Sequence, residues 1–457
     1  MNGQSLERPS TSALRISGAV FVLLLAAWLC IFVPPLVVIV PLAGAAVLWV
    51  VFRRPVSTLG VALAFMPLEF MAIALGKFFG LPHMTLVSVL DKEVLLLFLA
   101  FLLWRRNGFK PAAPDWFLAA CFTLALVRTA FSGKLLYLAA ESGFIVPYVV
   151  GRMTVLAIPQ QSLWAKRAVW VLAVLAVLGM GEVFFLGEAP RTALYLTLDS
   201  ATEEGHLTDP FHATGFGGLR ESATTVGPNG FGAFCMIALI LWWVYCRNPI
   251  PAGMLAAGLI CSVTRSAWVG LGLSIPLLAV IMGQKKRLYL YSALAIVLFL
   301  ISIPILGLTD YILYNKSGQD PSAEYHREQI VSGLNYVADH PFGSGNEKLS
   351  PMAAKEFDSD LIFETAYPAF AAEYGIPAVL CLIGFLLSAL YTVWRDPTPL
   401  GYAAVGILVA VCVVMVFTNP LVDRRLGCWV WFPIGLAVRS SLGRDLCPVP
   451  TVSTEVQ

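Results

Sequence analysis

Apolar residues fill this chain in long blocks rather than at the alternate positions of a half-buried strand. A bilayer core takes about 20 apolar residues per helix, with a range of roughly 17–25. On that measure the pattern predicts spans near 16–33, 35–52, 57–79, 85–104, 115–131, 135–150 and 168–186. Further spans follow at 228–246, 250–263, 266–283, 288–307, 366–393, 399–420 and 427–442. Two polar stretches interrupt them, 187–227 and 308–363. The predicted fold is all-α and polytopic, with about 12–14 transmembrane helices. It divides into an N-terminal transmembrane bundle (1–186), a first polar segment (187–227), central helices (228–307), a large loop (308–363), C-terminal helices (364–442) and a tail (443–457). Within the large loop, Ile330, Leu334 and Val337 recur at near-helical spacing and predict an amphipathic helix over 323–339 at the membrane surface.

Composition excludes a soluble globular chain. Of 457 residues, 58% are hydrophobic and 13% charged, against about 25% charged in soluble domains; the mean hydropathy is +0.78. The net charge of +2 points to no class of partner, nucleic acid included. The nine cysteines form no CxxC pair, which argues against a disulfide framework or a thiolate metal site. Arg8 and Arg15 precede the first apolar run without a convincing cleavage site, so a retained helix is expected.

The distribution of charge carries more information. Starting the N-terminus in the cytoplasm and alternating spans, the positive-inside rule gathers Arg53-Arg54, Arg105-Arg106, Lys166-Arg167, Arg247, Lys285-Lys286-Arg287, Arg395, Arg439 and Arg444 on the cytoplasmic side. Both termini are then cytoplasmic, and both polar stretches face outward, to the periplasm in a two-membrane bacterium. The exceptions are Arg191, Arg220, Arg265, Arg327 and the pair Arg424-Arg425. Cations on the disfavoured side suit an anionic ligand, and the forked guanidinium fits phosphate. Lys77, Arg128 and Lys134 lean the same way, but snorkelling from span ends accounts for them.

Four constellations can carry chemistry. In FGGLRESATTVGPNGFGAF, Pro228-Asn229 signals a helix start and sets Arg220 just outside the membrane; a loop Arg at headgroup level is the alternative. In CSVTRSAWVGLG, Arg265 joins two short spans, and Ser266 is placed to cap the following helix; an Arg snorkelling to the interface is the alternative. In the large loop, His326 and Arg327 open the amphipathic helix, and His340-Pro341-Phe342-Gly343-Ser344-Gly345 closes it in a tight turn. In DLIFETAYPAFAAEYG, Glu364 stands at the membrane re-entry and Glu373 within the apolar run. A carboxylate at such a boundary can serve as a general base, although an ion pair with an intramembrane Arg is the reading favoured for Glu373. No phosphate-binding loop, dinucleotide fingerprint, nucleophile triad or zinc spacing appears.

In this order the pieces resemble the O-antigen ligase/polymerase superfamily of bacterial membrane glycosyltransferases. The resemblance rests on Arg220 with Pro228-Asn229, Thr264-Arg265-Ser266-Ala267-Trp268-Val269-Gly270-Leu271, Arg327 with His340–Gly345, and Ala372-Glu373-Tyr374-Gly375, over roughly 210–380. It implies a GT-C-like fold and a reaction at the periplasmic face of the bacterial inner membrane. The donor is a glycan on undecaprenyl diphosphate; the acceptor is a lipid-linked glycan in a polymerase or lipid A-core in a ligase. It implies no nucleotide sugar, cofactor or metal, with membrane lipids and polysaccharide-assembly proteins as neighbours. Arg220, Arg265, Arg327, Arg424 and Arg425 would hold the diphosphate, Ser266, Asn229 and Glu373 would support them, and Glu364, His340 or His326 would be the base. Two departures direct the reading: Thr-Arg-Ser replaces the common Ser-Arg, and Glu364-Thr365 stands where many ligases carry His-Asn. The second favours a polysaccharide polymerase over a strict ligase. A transporter or flippase of an anionic polyprenyl lipid would also use outward arginines, but needs a headgroup route that the one-sided Arg cluster does not suggest.

Overall fold

The computed structural model describes residues 49–79, 94–132, 143–186, 228–305, 321–344, 365–421 and 424–444. The chain divides into two units, Met1–Thr58 and Leu59–Gln457. Of the first, residues 49–58 are described and are helical on both sides of Arg54.

Among the described residues every regular element is helical, as expected where backbone groups must find partners without water. In chain order they are α1 (Pro55–Phe65), α2 (Glu69–Phe78), α3 (Leu96–Asn107), α4 (Ala113–Ser132), α5 (Ile145–Met153), α6 (Ile158–Gly181), α7 (Pro228–Tyr245) and α8 (Pro249–Cys261). Then come α9 (Arg265–Ile281), α10 (Lys285–Ile305), α11 (Pro321–Asp339), α12 (Ala366–Tyr374), α13 (Ile376–Trp394), α14 (Pro399–Phe417) and α15 (Arg424–Arg444). Among the described residues three helices are long and apolar enough to cross a membrane: Ile158–Phe185, Ile376–Trp394 and Pro399–Phe417. Four shorter apolar helices accompany them: Pro55–Phe65, Asn229–Tyr245, Pro249–Cys261 and Arg265–Ile281.

Two expected spans are broken. The run at 57–79 divides at the turn Met66-Pro67-Leu68, where Pro67 brings no N–H to the helical ladder. The run at 366–393 divides at Gly375, whose φ of 89° ends α12 and starts α13. Other boundaries follow local chemistry. Asn248 accepts from Ile250 N at 3.0 Å to open α8, and Thr398 Oγ1 accepts from Gly401 N at 3.1 Å to open α14.

Small residues let the helices approach closely, the usual means of association where lipid removes the hydrophobic drive. A Cβ on Gly151 of α5 would collide with Phe432 O of α15, and one on Gly435 would collide with Tyr148 O. Gly270 of α9 rests on Met236 of α7 and Ala410 of α14, and Ser274 Oγ donates to Gly406 O at 2.9 Å. α9 and α14 therefore run antiparallel. So do α4 and α13, where Gly384 receives the ring of Phe117.

These directions sort the helix ends. One end gathers the close of α3, the start of α4 and the closes of α5 and α15. There Arg152, 0% exposed, chelates Asp115 (Nε–Oδ1 2.9 Å, Nη2–Oδ2 2.7 Å) and donates to Lys110 O at 2.7 Å. Tyr148 Oη donates to the same carboxylate at 2.8 Å, and Arg439 donates to Asn107 O at 2.8 Å. At this end too, Arg287 closes α7 by donating to Trp243 O at 2.7 Å and Cys246 O at 3.0 Å, its guanidinium lying over the rings of Trp242 and Trp243. The opposite end holds the starts of α7, α9, α13 and α15 and the close of α4, and with them the candidate site.

Candidate functional site

The first corner is the joint between α8 and α9. Ser262 closes α8, Val263 takes a left-handed φ of 52°, and Thr264 precedes Arg265, the first residue of α9. A β-branched residue there is strained, so the corner is held by its neighbours. Ser262 Oγ donates to Leu259 O at 2.7 Å and lies 3.0 Å from Thr264 Oγ1; Trp268 Nε1 donates to Leu259 O at 3.0 Å. The start of α7 backs it: a Cβ on Gly232 would lie 2.5 Å from Thr264 Cβ and 2.7 Å from Ser262 Oγ. The Pro228-Asn229 helix start and the Thr-Arg-Ser element, 35 residues apart at Asn229 and Thr264, are thus one packed unit. Arg265 projects from it exposed, and Asn229 is exposed in the first turn of α7.

Ser266 does not cap α9. Thr264 occupies the capping position without a side-chain capping bond, and Ser266 is the second helical residue. The left-handed turn at Val263 brings the Thr264 hydroxyl back to Ser262, and the first turn of α9 takes no side-chain cap from Thr264.

The second corner joins the large loop to the re-entering helix. The amphipathic helix forms as α11, Pro321–Asp339. Its inner face sets Val337 against Ala369, Ala371 and Ala372 of α12, whereas Leu334, expected on the apolar face, is exposed. Beyond α11, the turn 340–344 locks onto the α12–α13 corner. Ser344 N donates to Ala372 O at 2.8 Å, Ser344 Oγ to the same oxygen at 3.1 Å, and Ile376 N to Pro341 O at 2.9 Å. Both glycines of the contact have positive φ, 76° at Gly343 and 89° at Gly375. A Cβ on Gly343 would lie 2.5 Å from Glu373 O, and one on Gly375 would lie 2.6 Å from Phe342 C. His340–Ser344 of the HPFGSG motif therefore meets AEYG backbone to backbone, with no room for a side chain at Gly343 or Gly375; Gly345 lies outside the described residues.

This clasp presents His340. Its ring stacks on Tyr336 at 4.4 Å and 18°, and Nδ1 lies 3.2 Å from Tyr336 O. A carbonyl only accepts, so Nδ1 carries the hydrogen and Nε2 of the neutral ring is left as an acceptor on an exposed side chain. Glu373 is buried at 4% exposure, with its backbone carbonyl against Gly343.

The remaining described site residues lie on α11 and α15. Arg327 is exposed near the start of α11, and His326 precedes it on that helix. Arg424 and Arg425 do not precede the last helix but form its first turn, the end that disfavours cations. Arg425 meets this with an ion pair to Glu69 of α2, Nη2–Oε1 3.3 Å, the carboxylate being 0% exposed. Arg220 and Glu364 lie outside the described residues. One participant was missed. Arg128 of α4, assigned to snorkelling, donates from Nη2 to Gly343 O in the clasp. The only signal for it was membership of the outward-side cations.

Residues 250–383 match the family model described as O-antigen ligase. The segment runs from α8 into α13 and takes in the Thr-Arg-Ser corner, Arg327, the HPFGSG turn and Glu373-Tyr374-Gly375; the resemblance to the O-antigen ligase/polymerase superfamily holds over it. No curated protein matches the chain.

Proposed function

We propose, from the O-antigen ligase segment the chain carries, that it is a membrane glycosyltransferase that polymerises undecaprenyl-diphosphate-linked repeat units at the periplasmic face of the inner membrane. The observation that carries this reading is that the Thr-Arg-Ser corner and the HPFGSG–AEYG clasp both lie at the same end of the helix bundle and inside the matched segment. The reading retains the GT-C-like architecture, the outward-facing large loop and the six-part division as proposals.

The reaction needs a base for the acceptor hydroxyl and a cation for the leaving group. The acceptor oxygen attacks the anomeric carbon and the C1–O bond to the diphosphate breaks. The bond's electron pair leaves with undecaprenyl diphosphate, and the hydroxyl proton passes to the base. His340 fits the base: Nδ1–H is held by Tyr336 O and Nε2 is an exposed acceptor. Arg265 fits the leaving group as an exposed cation at a helix start, where charge developing on the diphosphate is best met by fixed donors. Arg220, Arg327 and Arg424 remain proposed contacts. Arg425, already on Glu69, contributes a weaker field.

Arg265→Ala is expected to leave the protein in the membrane at wild-type level and to stop polymer formation. Polymer of normal length from that variant sinks the assignment. The family description favours a second reading, transfer of the finished glycan to lipid A-core. Glycolipids of a deletion strain separate the two. Single repeat units on the carrier mark a lost polymerase, and full-length polymer on the carrier marks a lost ligase.

A further inference from the structure

Arg128 lies in α4, a turn before its end at Ser132, and is half-buried. Its Nη2 donates to Gly343 O, a contact across 215 residues of sequence. Its Nε is buried and meets no acceptor among the described residues. A guanidinium free to snorkel would carry that group to water. Arg128 instead forgoes the solvation of Nε and keeps a bond to the turn. The carbonyl it holds belongs to the residue whose own N–H donates to His340 O at 2.9 Å. The bond thus ties α4 to the turn at Gly343, three residues after His340; that turn holds the backbone carbonyl of His340, and Tyr336 of α11 orients its ring.

We infer that Arg128 is a positioning residue: it holds the HPFGSG turn on the α12–α13 corner and so fixes His340 for proton transfer. This rests on the glycosyltransferase reading for its chemistry, but not for the contact itself. Neither the hydroxyl of Ser344 nor the two backbone bonds of the clasp reaches α4, so Arg128 supplies the described link between the turn and that helix. Displacement of a reacting group by about 1 Å can cost roughly a hundredfold in rate. Because the residue acts through His340, its loss should lower kcat and leave substrate affinity nearly unchanged.

The test uses the purified full chain, comparing wild type with Arg128→Gln and Arg128→Lys by amide exchange and by transfer from a lipid-linked glycan in liposomes. In Arg128→Gln, the amides of Gly343, Ser344 and Ile376 should exchange about tenfold faster or more, while those of α14 stay protected. Its kcat should fall about tenfold to a hundredfold with KM within about threefold. Arg128→Lys, which keeps a cationic donor, should recover part of both. Wild-type exchange in the clasp, or a loosened clasp with unchanged kcat, overturns the inference. If α14 loses protection in Arg128→Gln, the same criteria apply to Arg128→Lys. A wild-type chain that transfers no glycan sinks the glycosyltransferase reading instead. The exchange data then still judge Arg128: loosening supports the positioning role, and unaltered protection overturns it.

Discussion

A guanidinium with no exposed surface is tolerable only when its charge is met, and Arg152 meets it with a bidentate carboxylate, a carbonyl and the ring of Phe109 at 5.3 Å, although its buried Nη1 finds no acceptor among the described residues. Breaking a buried pair from one side costs about 3–5 kcal/mol. Asp115→Asn keeps the shape and removes the charge, so a marked fall in the thermal unfolding midpoint in detergent is expected; an unchanged midpoint would contradict the pairing. Val263 offers the opposite case. Its left-handed backbone stores about 1–3 kcal/mol, and Val263→Gly should release part of it. We expect equal or greater thermal stability with reduced transfer, because the looser corner no longer fixes Arg265. Lower stability in that variant would show that the Val side chain's packing outweighs the strain. Neither residue was legible beforehand. Asp115 and Arg152 sit in separate apolar blocks with no spacing to link them, and a positive φ at valine leaves no mark in hydropathy.

At the scale of elements, the clasp depends on glycine for two separate reasons, and two variants distinguish them. Gly108 has φ 64° and ψ 176°, a conformation essentially restricted to glycine, with nothing within 4 Å of the position a methyl would take, so Gly108→Ala should cost only the backbone penalty, about 1–3 kcal/mol. Gly343 has φ 76° and backbone 2.5 Å from the same position, so Gly343→Ala should cost more and open the turn. Protease sensitivity near 340–345 reads the difference; equal resistance of both variants would refute the steric part. The motif spelled out the tight turn, since Pro341 and Gly343 punctuate the sequence there. Its docking partner was hidden, because Gly375 lies within a run apolar enough to read as one continuous span over 366–393. Hydropathy averages over many residues, and one backbone angle ended the helix. The α8–α9 break was legible because Arg265 interrupts the apolar pattern itself, while the cap assigned to Ser266 failed by the two residues that a left-handed turn rearranges.

For the molecule as a whole, the helical class was readable, since it follows from composition and the long apolar blocks. The joining of distant segments was not, because packing of Gly151 on Phe432 O or of Arg128 on Gly343 O has no local sequence signature. Those separations have a consequence in time. Ribosomes add about 5–20 residues per second. Asp115 and Arg152 are 37 positions apart, so they can pair within about 2–8 seconds. Arg128 and Gly343, separated by 215, must wait about 10–40 seconds. During that interval α4 lies in the membrane without α13, whose Gly384 later covers Phe117. Cys121 of α4, 1% exposed in the finished fold, should therefore react with a membrane-permeant thiol reagent in chains truncated before Ile376 and resist it in the full chain, each carrying Cys121 as its single cysteine. Equal protection in both would show that α4 finds another cover during synthesis. The clasp is, on this schedule, made long after the Asp115–Arg152 pair, and a ribosome stalled between Arg152 and α12 leaves a bundle with that pair formed and the clasp unmade.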